Sequence, residues 1–275
     1  MSWIDTIARL SRKNTGFVLV TVVEVEGSAP RDTESKMVVE TGQVHDSIGG
    51  GNLEYEAIKI ARALLDEGKS TVYSQIFSLG KDLTQCCGGK VTLLFECFPA
   101  CQFNIVLFGA GHVGKALVTI LSELPCRVEW VDSRDDIFPH PVSDNIETAN
   151  MHNVFAAVEN CRADAYYLVM THSHEIDIEL CEAILSRGDS RYCGLIGSRS
   201  KGSKFRSRLK KKGFNNQELE RLTSPIGLDS IPGKTPMEVA VSVVGQLLVL
   251  HHQITAVRES NQQVQTESGN IFGIN

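Results

Sequence analysis

A single glycine-rich turn constrains the fold of this chain more than any other feature of its sequence. The turn, Gly109-Ala-Gly111-His112-Val-Gly114, follows a short apolar run at 104–108 and precedes an apolar stretch with helical spacing at 113–124. Glycines at this spacing let the backbone approach a pyrophosphate, whose charge then faces the N-terminus of the following helix. A second apolar strand leads to Asp132, 18 residues beyond Gly114, near the place of the acid that binds ribose in dinucleotide-binding folds. The turn therefore predicts a strand–turn–helix unit that binds a phosphate-bearing ligand, although glycines in such a unit can also serve only to turn the chain. Arg134, just after Asp132, could accommodate an extra phosphate, so the identity of the ligand stays open.

The sequence after residue 103 alternates between apolar runs and stretches with helical spacing. The predicted strands cover 104–108, 127–131, 164–170 and 192–196, and the predicted helices cover 113–124, 175–187, 201–212 and 236–251. This alternation favours a parallel sheet with helices on both faces, a Rossmann-like domain over 103–252. The polar, aperiodic segment 253–275 is expected to be a flexible tail.

The first 98 residues have a different pattern, typical of a smaller α+β domain. Helices are predicted at 3–13 and 52–67, and strands at 17–25, 36–40, 43–48, 71–79 and 91–98. A linker at 98–102 separates this domain from the next. The expected fold class is thus α/β, with a Rossmann-like parallel sheet preceded by a smaller α+β domain.

Composition excludes several classes of protein. The formal charge of −6 argues against a nucleic-acid binder, which usually carries a basic face. The sequence has no run of about 18 apolar residues, so it predicts no membrane span. An export signal needs an unbroken apolar region near the N-terminus, and Asp5 interrupts that region here. The eight cysteines are too sparse for a disulfide scaffold, so we expect reduced thiols, a cytoplasmic location and no membrane partner.

Two more motifs lie where predicted strands end and helices begin, which is where open α/β sheets bind ligands. In the first, His172, His174 and Asp177 could bind a metal or pass protons, or the segment could only cap a helix and leave its imidazoles exposed. In the second, Ser198 and Lys201 could form an anion site with free backbone N–H groups. Eight basic residues and no acid follow between 199 and 212, either as a solvated face or as a surface for an acidic partner.

The smaller domain has three short motifs of its own. Cys87 follows Cys86 and precedes two glycines, so its thiolate could be reached by a soft metal, although a buried cysteine in a turn fits the pattern too. Arg31 ends a loop that begins at Gly27 and offers a bidentate fork for phosphate. The segment Gly49-Gly50-Gly51-Asn52-Leu-Glu54 is rich in backbone donors.

Taken together and in order, these motifs resemble the XdhC/CoxI family of accessory factors for xanthine dehydrogenase maturation. The resemblance spans 16–250 and adds Pro225-Ile-Gly-Leu228 and Pro236-x-Glu238 to the motifs above. It implies a cofactor-binding chaperone more than a catalyst, and not a subunit of the mature enzyme. Such a protein would bind molybdenum cofactor (molybdopterin), support its sulfuration with a cysteine desulfurase, and deliver it to a xanthine dehydrogenase-type apoenzyme.

The resemblance and the chemistry of a phosphorylated, sulfur-bearing pterin together select the candidate site. The expected ligand-binding residues are Arg31, Gly50, Gly51, Glu54, Cys87, Gly109, Gly111, His112, Gly114, Asp132, His172, His174, Asp177, Ser198 and Lys201, with Cys87 as the contact to molybdenum. Three positions depart from the family pattern: Glu34 replaces a common glycine, Asn52 a common cysteine, and Gly245-Gln246 a common Ala-Glu pair. Relatives often have a cysteine where this chain has Asn52. If that cysteine is a ligand in them, this chain must rely on Cys87 or Cys86, or it lacks a thiolate ligand.

Two other functions are consistent with parts of the pattern. The glycine turn alone suggests an NAD(P)-dependent oxidoreductase, although no convincing group for hydride transfer accompanies it beyond His172 or His174. The same histidines with Asp177 suggest a metal-dependent hydrolase. We also expect a homo-oligomer, because the predicted last helix at 236–251 is apolar on much of its surface.

Overall fold

The structure is a computed structural model that describes residues 2–29, 31–80 and 89–269, with side chains as far as Thr255. The chain divides into two compact units, Met1–Gln102 and Phe103–Asn275. The fold class expected from the sequence is confirmed, because the first unit contains an antiparallel sheet and the second a parallel one.

The first unit is a five-stranded antiparallel sheet with a helix on each face. Its strands are β1 (Phe17–Glu26), β2 (Lys36–Val39), β3 (Val44–Asp46), β4 (Thr71–Ser78) and β5 (Lys90–Phe98), in the order β3-β2-β1-β5-β4. Helix α1 (Trp3–Arg12) starts with a capping box between Ser2 and Asp5, and its Leu10 packs on one face of the sheet. Helix α2 (Gly51–Glu67) packs Leu53 and two alanines on the other face and ends at Gly68 in a left-handed conformation.

The second unit is a six-stranded parallel sheet. Its strands are β6 (Asn104–Phe108), β7 (Arg127–Asp132), β8 (Ile146–Asn150), β9 (Tyr166–Val169), β10 (Tyr192–Leu195) and β11 (Leu222–Thr223), in the order β11-β10-β9-β6-β7-β8. Numbered within the unit from its other edge, this is the order 3-2-1-4-5-6 of a doubly wound dinucleotide-binding sheet. The order reverses between β6 and β9, and ligands of such sheets bind outside the carboxyl ends of the strands at that point.

Helices cover both faces of the parallel sheet. They are α3 (His112–Leu121), α4 (Phe155–Asn160), α5 (His174–Arg187), α6 (Arg199–Lys211), α7 (Asn216–Glu220) and α8 (Pro236–Gly269). The helices α4 to α7 share a core with Tyr167 and its neighbours on one face. On the other face α3 packs with α8, where the His251 ring stacks 4.4 Å from that of Phe103.

The C-terminal segment differs from the sequence expectation. Helix α8 does not end near His251 but continues to Gly269, through most of the segment predicted to be a flexible tail. No proline or glycine interrupts the sequence between Gly245 and Gly269, so nothing stops the helix there.

The expectation about membrane spans also needs correction. The sequence has no unbroken apolar run long enough to span a membrane. The segment Pro236–Thr255, however, has a mean hydropathy of 1.2 and is long and apolar enough to cross a membrane, by length and composition alone. Its residues Ala240, Val243 and Leu247 are fully buried in the unit. Core helices of globular domains pass the same test, but they are mostly buried, whereas 28% of this window is buried.

Candidate functional site

The glycine turn joins the carboxyl end of β6 to the start of α3, as the sequence predicts. Gly109 has a φ of 113°, and a Cβ built on it would lie 2.2 Å from the Met170 carbonyl oxygen. A Cβ on Gly114 would lie 2.2 Å from the carbonyl oxygen of Gly109, so this glycine lets the helix pack against the turn. A Cβ on Gly111 would meet no atom within 4 Å. Two glycines thus serve close packing, and the middle one faces space into which a ligand phosphate could approach.

Two residues that the sequence analysis did not single out hold this turn in place. The indole Nε1 of Trp130, on β7, donates to the Gly109 carbonyl at 3.1 Å. Met170 supplies the backbone against which Gly109 packs. A tryptophan in a buried strand needs a partner for its N–H, and this is the signal by which Trp130 could have been found.

Asp132, at the end of β7, is tied to the same turn. Its carboxylate accepts the backbone N–H of Ala110 at 2.7 Å. Arg134 donates three more hydrogen bonds to it, from its backbone N at 3.0 Å, from Nε at 2.9 Å and from Nη2 at 2.8 Å. Burial raises the pKa of the Asp132 carboxyl, but these hydrogen bonds outweigh burial and lower that pKa to about 2. The carboxylate is therefore charged at neutral pH and fixed within the protein.

A second polar cluster lies at the carboxyl ends of β9 and β10. Asp177 has no exposed side-chain surface, and it accepts hydrogen bonds from the Thr171 backbone N at 2.9 Å and the Thr171 hydroxyl at 2.7 Å. Its other oxygen lies 2.8 Å from Nζ of Lys201. Because Met170 precedes Thr171 and packs on Gly109, the structure brings this cluster beside the glycine turn.

The two histidines of this segment are exposed. Nδ1 of His174 lies 3.9 Å from the Asp177 carboxylate, and its side chain is 77% exposed. His172 and His112 are exposed as well. Among residues 2–29, 31–80 and 89–255, no three His, Cys, Asp or Glu side chains come together as a metal-binding group. Asp177, the acid of this motif, is engaged by Lys201 and Thr171.

At the start of α6, the predicted anion-site residues Ser198 and Lys201 have partners within the protein. Ser198 caps the helix by accepting the Lys201 backbone N–H at 3.3 Å, and the Lys201 ammonium is paired with Asp177. The basic helix pairs with acids of α5: Arg208 contacts Glu175 through both terminal nitrogens and lowers the pKa of that carboxyl. Lys212 is likewise bonded to Glu182. Three of the eight basic residues of this stretch therefore pair with acids of α5.

In the first unit, the predicted loop residues lie around the start of α2. The Glu54 carboxylate accepts the backbone N–H of Gly50 at 3.0 Å, the N–H of Ile48 at 3.3 Å and the hydroxyl of Ser47 at 2.6 Å. These hydrogen bonds to Glu54 hold the glycine loop in place. Gly50 and Gly51 both have a positive φ. Arg31 is exposed.

The predicted thiol site cannot be placed in the same way. Cys86, Cys87 and Gly88 lie outside the described residues. Gly89 directly follows them, and a Cβ built on it would lie 2.5 Å from the Ser28 carbonyl oxygen. The loop that begins at Gly27 therefore packs against the residue next to the Cys87-Gly88 pair.

Comparisons with known proteins agree with this architecture. The family model described as the XdhC Rossmann domain matches residues 105–247, and the model described as the XdhC and CoxI family matches residues 10–75. Each match falls within one of the two units.

Two individual proteins are similar to the chain. An uncharacterized Escherichia coli K12 protein, YqeB, is 28% identical over 253 residues, which cover 90% of this chain but 46% of that protein. The chain thus spans about half the length of this relative. A solved structure from Bacillus halodurans, described as a xanthine dehydrogenase, is 20% identical with a TM-score of 0.49, and the alignment covers 92% of this chain and 96% of that one.

Proposed function

The chain belongs to the XdhC and CoxI family, and on that premise we propose that it binds molybdenum cofactor for a xanthine dehydrogenase-type enzyme. In this proposal the protein is a carrier: it holds the cofactor, supports its sulfuration with a cysteine desulfurase, and delivers it to the apoenzyme in the cytoplasm. The cofactor is cargo and is not consumed by the chain's own chemistry.

The observation that carries the proposal is that the three glycines of the turn have different surroundings. Gly109 and Gly114 are needed for close backbone packing, whereas Gly111 is open on the side where a side chain would project. No side-chain hydrogen bond caps the start of α3, so the backbone donors of that first turn can serve a phosphate. A pterin cofactor carries a phosphate, and this turn fits that end of the molecule.

The residues around the turn support the phosphate end in different ways. Asp132 fixes Ala110 of the turn, and Asp177 with Lys201 fixes Thr171 beside it. His112, His174 and Ser198 have exposed surface near the starts of α3, α5 and α6. We propose that these groups orient the ligand. Contributions of Cys87 to the sulfur and metal side, and of Arg31, Gly50, Gly51 and Glu54, remain predictions.

The proposal is tested on protein purified from cells that make the cofactor in excess. Bound molybdenum is measured by elemental analysis, and bound pterin by the fluorescence of its oxidised form. We expect both in the wild-type chain and a loss of at least about tenfold in Gly111→Ala, because the added methyl group occupies the approach of the phosphate.

Gly42→Ala is the matched control, since a Cβ there also meets no atom within 4 Å. Gly42 lies between β2 and β3, outside the parallel-sheet unit, and its replacement should leave cofactor content unchanged. A wild-type chain that carries neither molybdenum nor pterin would overturn the proposal. So would a folded Gly111→Ala variant with wild-type content.

A further inference from the structure

The Asp132 carboxylate has no hydrogen-bonding capacity left for a ligand. An ionised carboxylate can accept about four hydrogen bonds, two at each oxygen. Asp132 accepts four from the protein: one from Ala110 and three from Arg134. Its side chain is 2% exposed. The protein therefore occupies all the acceptor sites of this acid and covers almost all of its surface.

This saturation matters because of the position of the acid. In dinucleotide-binding folds with this strand order, an acid at the end of the second strand accepts a hydroxyl of the adenosine ribose. Two of the four donors on Asp132 are backbone N–H groups, whose positions are fixed by the turn and by the chain after β7. The other two belong to the Arg134 guanidinium, so only this side chain could give way to a ribose.

We propose that Arg134 determines the ligand specificity of the glycine-turn site by excluding NAD. It fills the acceptor sites that a ribose diol requires, and a phosphate ester that does not depend on a diol is unaffected. A guanidinium has five N–H donors, and two of those on Arg134 are used by Asp132. The side chain is 40% exposed, so the remaining donors favour an anionic group of the ligand over a sugar hydroxyl. This inference rests on the proposed function, because it assumes that the turn holds the phosphate.

The test is a titration of the purified full chain with NADH and with NADPH, followed by nicotinamide fluorescence. The wild-type chain should show no saturable binding of NADH up to about 1 mM, the range of very weak complexes. Arg134→Ala should bind NADH at least about tenfold more tightly, since a hydrogen bond to a charged acceptor is worth about one such step. Arg134→Lys cannot form the paired contact with Asp132 and should also gain NADH binding. It provides the test if Arg134→Ala does not fold.

Arg127→Ala is the matched control. Arg127 begins the strand that Asp132 ends. Its side chain is 47% exposed, and it pairs with Glu147 at 2.9 Å, at the end of β7 away from Arg134. This variant should behave as the wild type does. Circular dichroism and a thermal melt establish that each variant is folded.

Each outcome has a separate meaning. Micromolar binding of NADH by the wild-type chain, or folded Arg134 variants that gain none, would overturn the inference. Tight wild-type binding of NADPH without NADH would support the role of Arg134 but count against a pterin as the ligand. A wild-type chain that rejects NADH and purifies without molybdenum or pterin would contradict the proposed function alone.

Discussion

Gly109 and Met170 approach each other so closely that a Cβ on the glycine would lie 2.2 Å from the methionine carbonyl oxygen. This contact joins the end of β6 to the end of β9, the two strands between which the sheet order reverses. It is a backbone contact, so neither residue can relieve a clash by rotating a side chain. The geometry of the candidate site therefore depends on glycine at this position.

The three glycines of the turn should respond differently to replacement by alanine. Gly109→Ala and Gly114→Ala should each lower the free energy of unfolding by about 2 kcal/mol or more, because the new Cβ would overlap a backbone oxygen. Gly111→Ala should change it by less than about 0.5 kcal/mol, since its Cβ meets open space. Urea unfolding followed by circular dichroism measures all three. Equal losses at the three positions would show that the turn is packed differently.

Replacement of Lys201 by methionine should destabilise the parallel-sheet unit by about 3 kcal/mol. The Asp177 carboxylate has no exposed surface, and it would be left charged and without its cation. Lys204, an exposed lysine on the same helix, gives the matched control Lys204→Met, for which we expect no measurable loss. The double variant Asp177→Asn with Lys201→Met should recover part of the loss. A negligible cost for Lys201→Met alone would mean that the pair does not hold α6 to α5.

The stability contributed by Asp132 should disappear in acid. Its pKa is about 2 in the folded chain against 3.8 for an ordinary aspartate, so the folded state binds the proton less readily. The stabilisation is complete above about pH 4 and is lost as the pH falls towards about 2; it amounts to about 2 kcal/mol. The difference in unfolding free energy between the wild type and Asp132→Asn should therefore shrink by this amount over that interval.

Self-association is expected through α8. Met237, Val241 and Val249 lie on this helix and are 45%, 46% and 49% exposed, and a second copy would cover this apolar surface. Light scattering at physiological salt should give twice the chain mass for the wild type and the single mass for Val241→Asp. Tyr55→Asp, at an exposed aromatic residue of α2, is the control and should not change the mass. A monomeric wild type over a wide concentration range would contradict this prediction.

The sequence predicts the strands and helices whose pattern is long and regular, and it misses the short ones. Strand β8 has a single buried residue, Ile146, and β11 has two residues, so neither produces a detectable alternation. Helix α4 has six residues and no side-chain cap. Helix α7 has five, although its capping box between Asn215 and Glu218 is a local signal that could have been used. The missed strands are the two edges of the sheet, so the full strand order required the structure.

The candidate site shows a similar division. The glycine spacing and Asp132 can be recognised in the sequence because both depend on local chain geometry. The pairing of Asp177 with Lys201, 24 residues later, depends on how α5 and α6 pack. The four donors on Asp132 depend on the rotamer of Arg134 and on the turn at Ala110. Such contacts follow from tertiary packing, and a pattern of residue types does not specify them.

The predicted thiol contact is the sharpest test of the cargo. A carrier of a sulfurated molybdenum centre must hold the metal side without trapping it, and one thiolate next to glycines in the sequence can bind a soft metal yet exchange readily. In an extended segment Cys86 would point away from Cys87. Cys87→Ala should therefore lower both the molybdenum retained by the purified chain and the yield of active xanthine dehydrogenase on co-expression, and Cys86→Ala should lower them much less. Both variants should stay folded, because loss of a small side chain costs about 1 kcal/mol. If both retain cofactor and mature the dehydrogenase as the wild type does, the thiol has no such role, and His172 and His174 become the groups to test for the metal side.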